Sequence, residues 1–232
     1  MYEGSFFIPG KMLTTHQLLD VNKVHYILAS ANDIDRLVVD LKERINFYYE
    51  QDSCFKSVDE LWETYAVSDR LDDAKTIFVK RVLQNGLPEK LRNCISSDLF
   101  KKYVGISEEK LAYELYMTAD QISTMKRHGM FIGVHGYDHY WLGKTSEKEM
   151  QKDIDKALEV LEGLINPKAW VMNYPYGSYN EDVLDYIKKK GACVGFTTEV
   201  RVAEIGVDNP LILPRLDCID YPPKSMHYKD FD

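Results

Sequence analysis

Apolar positions change their period twice along this chain. Ser5-Phe-Phe-Ile8 is a short β-type run closed by Pro9-Gly10, a pair that stops a strand. From about Leu18 to about His128 the spacing becomes helical. It is clearest at Ile34, Leu37, Val38, Leu41 and Ile45, and again at Ala74, Ile77, Phe78 and Val82, where apolar side chains return to one face every three or four residues. Ser57 with Glu60 and Thr118 with Gln121 fit the capping box, in which a hydroxyl and a long polar side chain satisfy each other's orphan amides. Gly86-Leu-Pro88 and Gly105 predict breaks inside this block. After Gly129 the period shortens again, and Met130–Val134 reads as a buried strand running straight into His135. Ser146 with Glu149 predicts a helix to about Leu164, Ala169–Met172 a strand, Asn180 a helix ending near Gly191, Ala192–Phe196 a strand, and Leu211–Leu213 a last strand before Pro214. Strands alternating with helices imply βαβ units and parallel pairing, hence a doubly wound sheet or a barrel. The tail Tyr221-Pro-Pro-Lys224 reads as extended.

Composition narrows the class without naming a function. A chain of 232 residues, 45% hydrophobic and 28% charged, can bury one sizeable core without a disulfide or structural metal. No apolar run approaches the roughly 20 residues of a membrane helix. Met1–Gly10 has neither the basic start nor the long apolar centre of a secretory signal. Cys54, Cys94, Cys193 and Cys218 are scattered and read as reduced core residues, which points to the cytoplasm. A net charge of -8 argues against nucleic-acid binding, which normally requires a basic patch. Sixteen tyrosines and three tryptophans are rings that stack on sugars, although such rings fill cores more often.

Two clusters carry chemistry. His135 and His139 lie four apart after a strand, where one helical turn would bring both imidazoles to one metal ion. The carboxyl ends of strands are also where α/β folds gather their sites. The bland reading of the pair is two rings making separate structural hydrogen bonds. Asn173-Tyr-Pro-Tyr-Gly-Ser-Tyr-Asn180 again follows a strand. By itself it is a turn and a helix cap, and its Tyr176 amide is a candidate oxyanion donor.

In order along the chain, Ser5–Pro9, His135-Gly-Tyr-Asp-His139, Tyr174-Pro-Tyr-Gly177, Phe196-Thr-Thr198 and Leu213-Pro-Arg215 resemble the motifs of the polysaccharide deacetylase, or NodB-homology, family. The resemblance implies an α/β fold. The form implied is a distorted (β/α) barrel of the NodB type, complete or incomplete, as a single domain over 1–232 with a large helical insertion at about 18–128. It implies a divalent metal, zinc first, held by His135 and His139, with the Tyr176 amide meeting the developing oxyanion. Tyr174, Pro175, Tyr137 and Arg215 are then the residues expected to contact or support an acetylated saccharide. Leu18–Leu28 and His135–Leu142 look like a branch found with cell-surface carbohydrate biosynthesis. The family's paired aspartates, base and third ligand, belong before Ser5 and do not occur in Met1–Gly4. Three readings follow: a deacetylase of reduced activity, a non-catalytic carbohydrate-binding or assembly protein, or a shortened form of an active enzyme. Asp138 is the alternative ligand and His227 the alternative acid. An uncovered parallel edge at the first strand predicts a partner chain, such as a second copy in a homo-oligomer, or the tail covering it, or else poor solubility.

Overall fold

Four short strands, β1 (Ser5–Ile8), β2 (Phe131–Val134), β3 (Trp170–Asn173) and β4 (Ala192–Phe196), form one parallel sheet in the order β1-β2-β3-β4. The computed structural model describes residues 4–231. Each new strand is added on the same side of the last, which is the winding of a barrel rather than of a doubly wound sheet with its reversal. The fold is α/β with parallel strands, as the alternating periods imply.

The chain divides into two compact units, residues 1–15 with 116–232, and residues 16–115. The first holds the sheet, with α7 (Ala119–Arg127), α8 (Glu147–Val160) and α9 (Glu181–Lys189). Ile8, Ile132, Val134 and Met172 from the strands pack with Ile154 and Ala157 of α8 and Ile187 of α9. On the opposite face Phe7 meets Phe131 and Phe196 at 6.4 and 5.9 Å. Glycine is required beside it: a Cβ at Gly133, the register partner of Phe7, would sit 2.5 Å from that ring.

The second unit contains α1 (Asp20–Ser30), α2 (Ile34–Tyr49), α3 (Val58–Tyr65), α4 (Ala74–Arg81), α5 (Glu89–Tyr103) and α6 (Glu108–Leu115). Asp33, Ser57 and Asp73 cap α2, α3 and α4 by accepting from their first free amides. Both predicted capping boxes, and a third at Ser146–Glu149, are formed. Asp40 of α2 is 4% exposed and answers to Arg36, Lys102 and the Tyr103 hydroxyl. That company keeps the carboxylate ionised despite its burial, whose own effect is to favour the neutral acid. No helix among the described residues is long and apolar enough to cross a membrane.

Three expectations change. Leu211–Leu213 is not a strand: Pro210–Ile212 forms a 3-10 turn, and only Leu213 bridges Phe196. Pro210 and Pro214 frame the run without N–H donors, so the ladder cannot extend. Leu213 makes the single rung by donating to Gly195 O and accepting from Thr197 N. The four cysteines are free and all exposed rather than in the core. The tail turns at Tyr221–Ser225, where Lys224 and Ser225 donate to Tyr221 O, instead of running out extended.

Met172 has no exposed surface and stands one residue before the carbonyl that orients His135. Met172→Ala is expected to lower the unfolding free energy by about 2–5 kcal/mol, read from urea denaturation. A loss no larger than that of the exposed control Val207→Ala would remove Met172 from the core.

Candidate active site at the ends of β2 and β3

Five of the eight backbone polar groups from His135 to Asp138 have identified partners. His135 N donates to Ile8 O at 3.2 Å, continuing the β1–β2 ladder by one residue. The carbonyls of Gly136 and Tyr137 accept from Gly10 N and Lys11 N at 2.9 and 3.0 Å. The amides of Tyr137 and Asp138 donate to the two carboxylate oxygens of Asp153 on α8, at 2.9 and 2.8 Å. Gly136 has φ 68°, and a Cβ there would lie 2.8 Å from Asp153 Oδ2, so both the turn and the carboxylate require glycine. Lys11 closes the loop from outside through an ion pair with Asp138 at 2.7 Å.

This loop presents the histidine pair. His135 Nδ1 donates to the carbonyl of Asn173, the last residue of β3, at 2.5 Å, which leaves Nε2 as the lone-pair nitrogen. The His135 and His139 rings lie 4.7 Å apart, 76° between planes. His139 then meets Tyr176 edge to face at 4.6 Å, and Tyr176 stacks on Trp141 at 4.6 Å and 11°. His139 (φ 61°) and Tyr176 (φ 58°) are the non-glycine residues with positive φ among those described. That conformation costs an L-residue roughly 1–2 kcal/mol and persists where surrounding structure over-determines it. Here the loops are interlocked: Gly143 N donates to Ser178 Oγ and Asn180 Nδ2 to Gly143 O.

The structure thus brings together three of the residues singled out from sequence, His135, His139 and Tyr176. It sends others elsewhere. Tyr137, expected against substrate, is 5% exposed, and its hydroxyl pairs with Thr14 Oγ1 at 2.8 Å. Tyr174 is 1% exposed and donates to Leu211 O at 2.7 Å, and Pro175 beside it is buried. In this structure the two rings and the proline lie buried. Arg215 is near enough for its charge to act on His135, while its Nη1 lies 3.8 Å from Asp217. Asp138 is committed to Lys11 rather than to the histidines, and His227 lies in the C-terminal 3-10 turn. Asp153, Trp141 and the Asn173 carbonyl went unremarked in sequence. Only Asp153 leaves a signal there, an acid in the apolar stripe Met150, Ile154, Ala157.

The donor set fits part of a metal site. Two imidazoles meet, one already oriented by a carbonyl, yet no group of three His, Cys, Asp or Glu side chains that could hold a metal occurs among the described residues. Burial drives His135 down to about 4, helped by the Arg215 charge and opposed by the Asn173 hydrogen bond. Burial drives Asp153 up to about 6 against the pull of its two amide donors. The signs oppose. Neutral His135 contributes stability above the free value of 6.5 that is lost as pH falls toward 4; Asp153 contributes stability below 3.8 that is lost as pH rises through 6. With chelator present, wild type is therefore expected to gain stability over His135→Gln as pH rises across 4 to 6.5, measured as urea midpoints. A constant difference would contradict a depressed histidine.

Comparison with known proteins agrees with the ordered motifs. Residues 96–194 match the family model described as polysaccharide deacetylase. YxkH of Bacillus subtilis (strain 168), whose name places it among polysaccharide deacetylases, is 26% identical over 91 residues, covering 39% of this chain and 33% of that protein. The chain therefore spans about a third of the length of that curated relative. Among solved structures, Streptococcus pyogenes deacetylase PplD in complex with acetate is similar over 100% of this chain and 96% of its own, at 17% identity and TM-score 0.45. IcaB from Ammonifex degensii is similar over 47% and 51%, at 23% identity and TM-score 0.39. The matched stretch 96–194, with the histidine loop and the Pro-Tyr turn inside it, is similar to the polysaccharide deacetylase family.

Proposed function

We propose that this chain binds a divalent cation, zinc in the first instance, through His135 and His139, and presents an acetylated saccharide to it for deacetylation. One observation carries the reading. The two strained non-glycine residues, His139 and Tyr176, come from different loops and meet edge to face, and the His135 ring lies 4.7 Å from that of His139. Strain held at one place by two loops supports a site rather than a packing accident.

The roles follow from the atoms. Donation of Nδ1–H to Asn173 O fixes the His135 tautomer and ring plane and points Nε2 away from β3. The depressed basicity of His135 keeps the ring neutral at ordinary pH, so protons do not compete for that nitrogen. Trp141 and Tyr176 stack into an aromatic wall beside His139, a surface suited to the apolar face of a sugar ring. The Tyr176 amide is the proposed oxyanion donor, and Arg215 the cation nearby. A divalent ion held there would polarise the acetyl carbonyl and activate water. Among the described residues only His135 and His139 are proposed as ligands, and a two-ligand site is weaker than a three-ligand one, which supports a second reading, a saccharide-binding protein with little turnover.

Calorimetry with zinc chloride is expected to show one ion bound per chain, and His135→Ala to abolish uptake. Wild type that takes up no zinc at neutral pH would overturn the metal site. Acetate release from an N-acetylated oligosaccharide then separates the readings, since binding without release selects the non-catalytic one.

A further inference from the structure

We propose that Asp153 is the positioning residue of the histidine loop, acting on metal and substrate only through the backbone of residues 136–138; the proposal rests on the metal reading above for its functional consequence. The carboxylate lies on α8, 4% exposed, within a stripe otherwise made of Met150, Ile154 and Ala157. A polar side chain among such neighbours is retained at a cost unless its partners need it. Its partners are two consecutive amides, Tyr137 N on Oδ2 and Asp138 N on Oδ1. Both lie between the two histidines in sequence, and no strand or helix bond is available to either.

Geometry makes the clamp specific. A carboxylate has two acceptor oxygens and no donor, so it can receive two parallel N–H groups; an amide side chain can receive only one and turns its own N–H₂ against the other. The glycine at position 136 is the other half of the fit, because its missing Cβ is what lets Oδ2 approach. On the opposite side of the loop, Gly10 and Lys11 donate to the carbonyls of Gly136 and Tyr137. Held from both sides, the segment has no freedom to rotate. The His135 ring therefore stays on Asn173 O, and His139 stays in its left-handed conformation against Tyr176. Asp153 reaches the loop through the amides of Tyr137 and Asp138. It is two steps from the proposed ion, as supports of ligand-bearing loops commonly are, and loss of such a support costs about 10–100-fold in metal affinity.

The test compares wild type with Asp153→Ala, Asp153→Asn and Gly136→Ala. The last variant keeps the carboxylate but displaces it. Thermal unfolding establishes that each variant is folded at the temperature used. Zinc affinity by calorimetry is expected to fall about 10–100-fold in Asp153→Ala, with Asp153→Asn between it and wild type because one acceptor survives. Amide exchange in the folded protein is expected to lose protection at Tyr137 and Asp138 while the α8 amides keep theirs. The nitrogen-15 spectrum of His135 is expected to change from a single Nδ1–H tautomer to a mixture of both. A purely structural carboxylate predicts the reverse pattern: a lower melting temperature with zinc affinity, loop protection and tautomer unchanged, which overturns the proposal. If wild type binds no zinc, the metal reading fails on its own, and the exchange and tautomer results still decide whether Asp153 positions the loop.

Discussion

The hydrogen bond from His135 Nδ1 to the carbonyl of Asn173 is the constraint on which the rest of the site depends. It joins the end of β2 to the end of β3, the two strand ends from which both chemical loops start. A parallel sheet wound in one direction places consecutive strand ends side by side, so β2 and β3 deliver a histidine and a carbonyl to adjacent positions without further help. Orientation is the harder problem. The ring must give one nitrogen to the protein and keep the other, and burial that disfavours the imidazolium ensures that only one nitrogen carries a proton.

Burial also sets what the surrounding loop can tolerate. The backbone of 135–138 has few sheet or helix partners, and unpaired buried amides cost about 1–3 kcal/mol each. Gly10 and Lys11 supply donors for its carbonyls, while Asp153 supplies acceptors for its amides. The supply is not free. The rise of Asp153 from 3.8 to about 6 means that desolvation of the carboxylate, aided by the nearby Asp138 charge, outweighs its two amide bonds and the pull of Lys11. A leucine on the stripe of α8 would pack without that cost and leave the loop unheld. The balance trades stability for geometry, as sites commonly do.

What could be read in the sequence was what is local. Capping boxes at Ser57 and Thr118 join residues three apart, and β2 and β4 are apolar runs bounded by glycine or a change of period, so both were legible to within a residue. The histidine pair was legible for the same reason, since spacing and a preceding strand are both visible in the chain. Side-chain direction in loops was not. Tyr137 and Tyr174 sit among the residues that form the site, yet both turn inward, to Thr14 and to Leu211, partners more than thirty residues distant. Leu211–Leu213 has the apolar content of a strand, but prolines at both ends remove the donors a ladder needs. Asp153 was hidden by ordinary appearance, one acid in a helix rich in acids, distinguished only by which face it occupies.

The same reasoning bears on His139 and Tyr176. Left-handed backbone at a histidine and at a tyrosine costs roughly 1–2 kcal/mol apiece, and aromatic contacts return about 0.5–1.5 kcal/mol each beyond their area. The stack of His139, Tyr176 and Trp141 therefore offsets the strain approximately but leaves no surplus. Each residue is held by the other's loop: Tyr176 has its ring partners only while His139 and Trp141 are in place, and the loop of Trp141 is fastened to that of Tyr176 through Ser178 and Asn180. Neither loop is set by its own sequence alone. The site is consequently a two-loop device whose precision comes from β2 and β3 lying side by side, and a change that loosens one loop should be felt at the ring carried by the other.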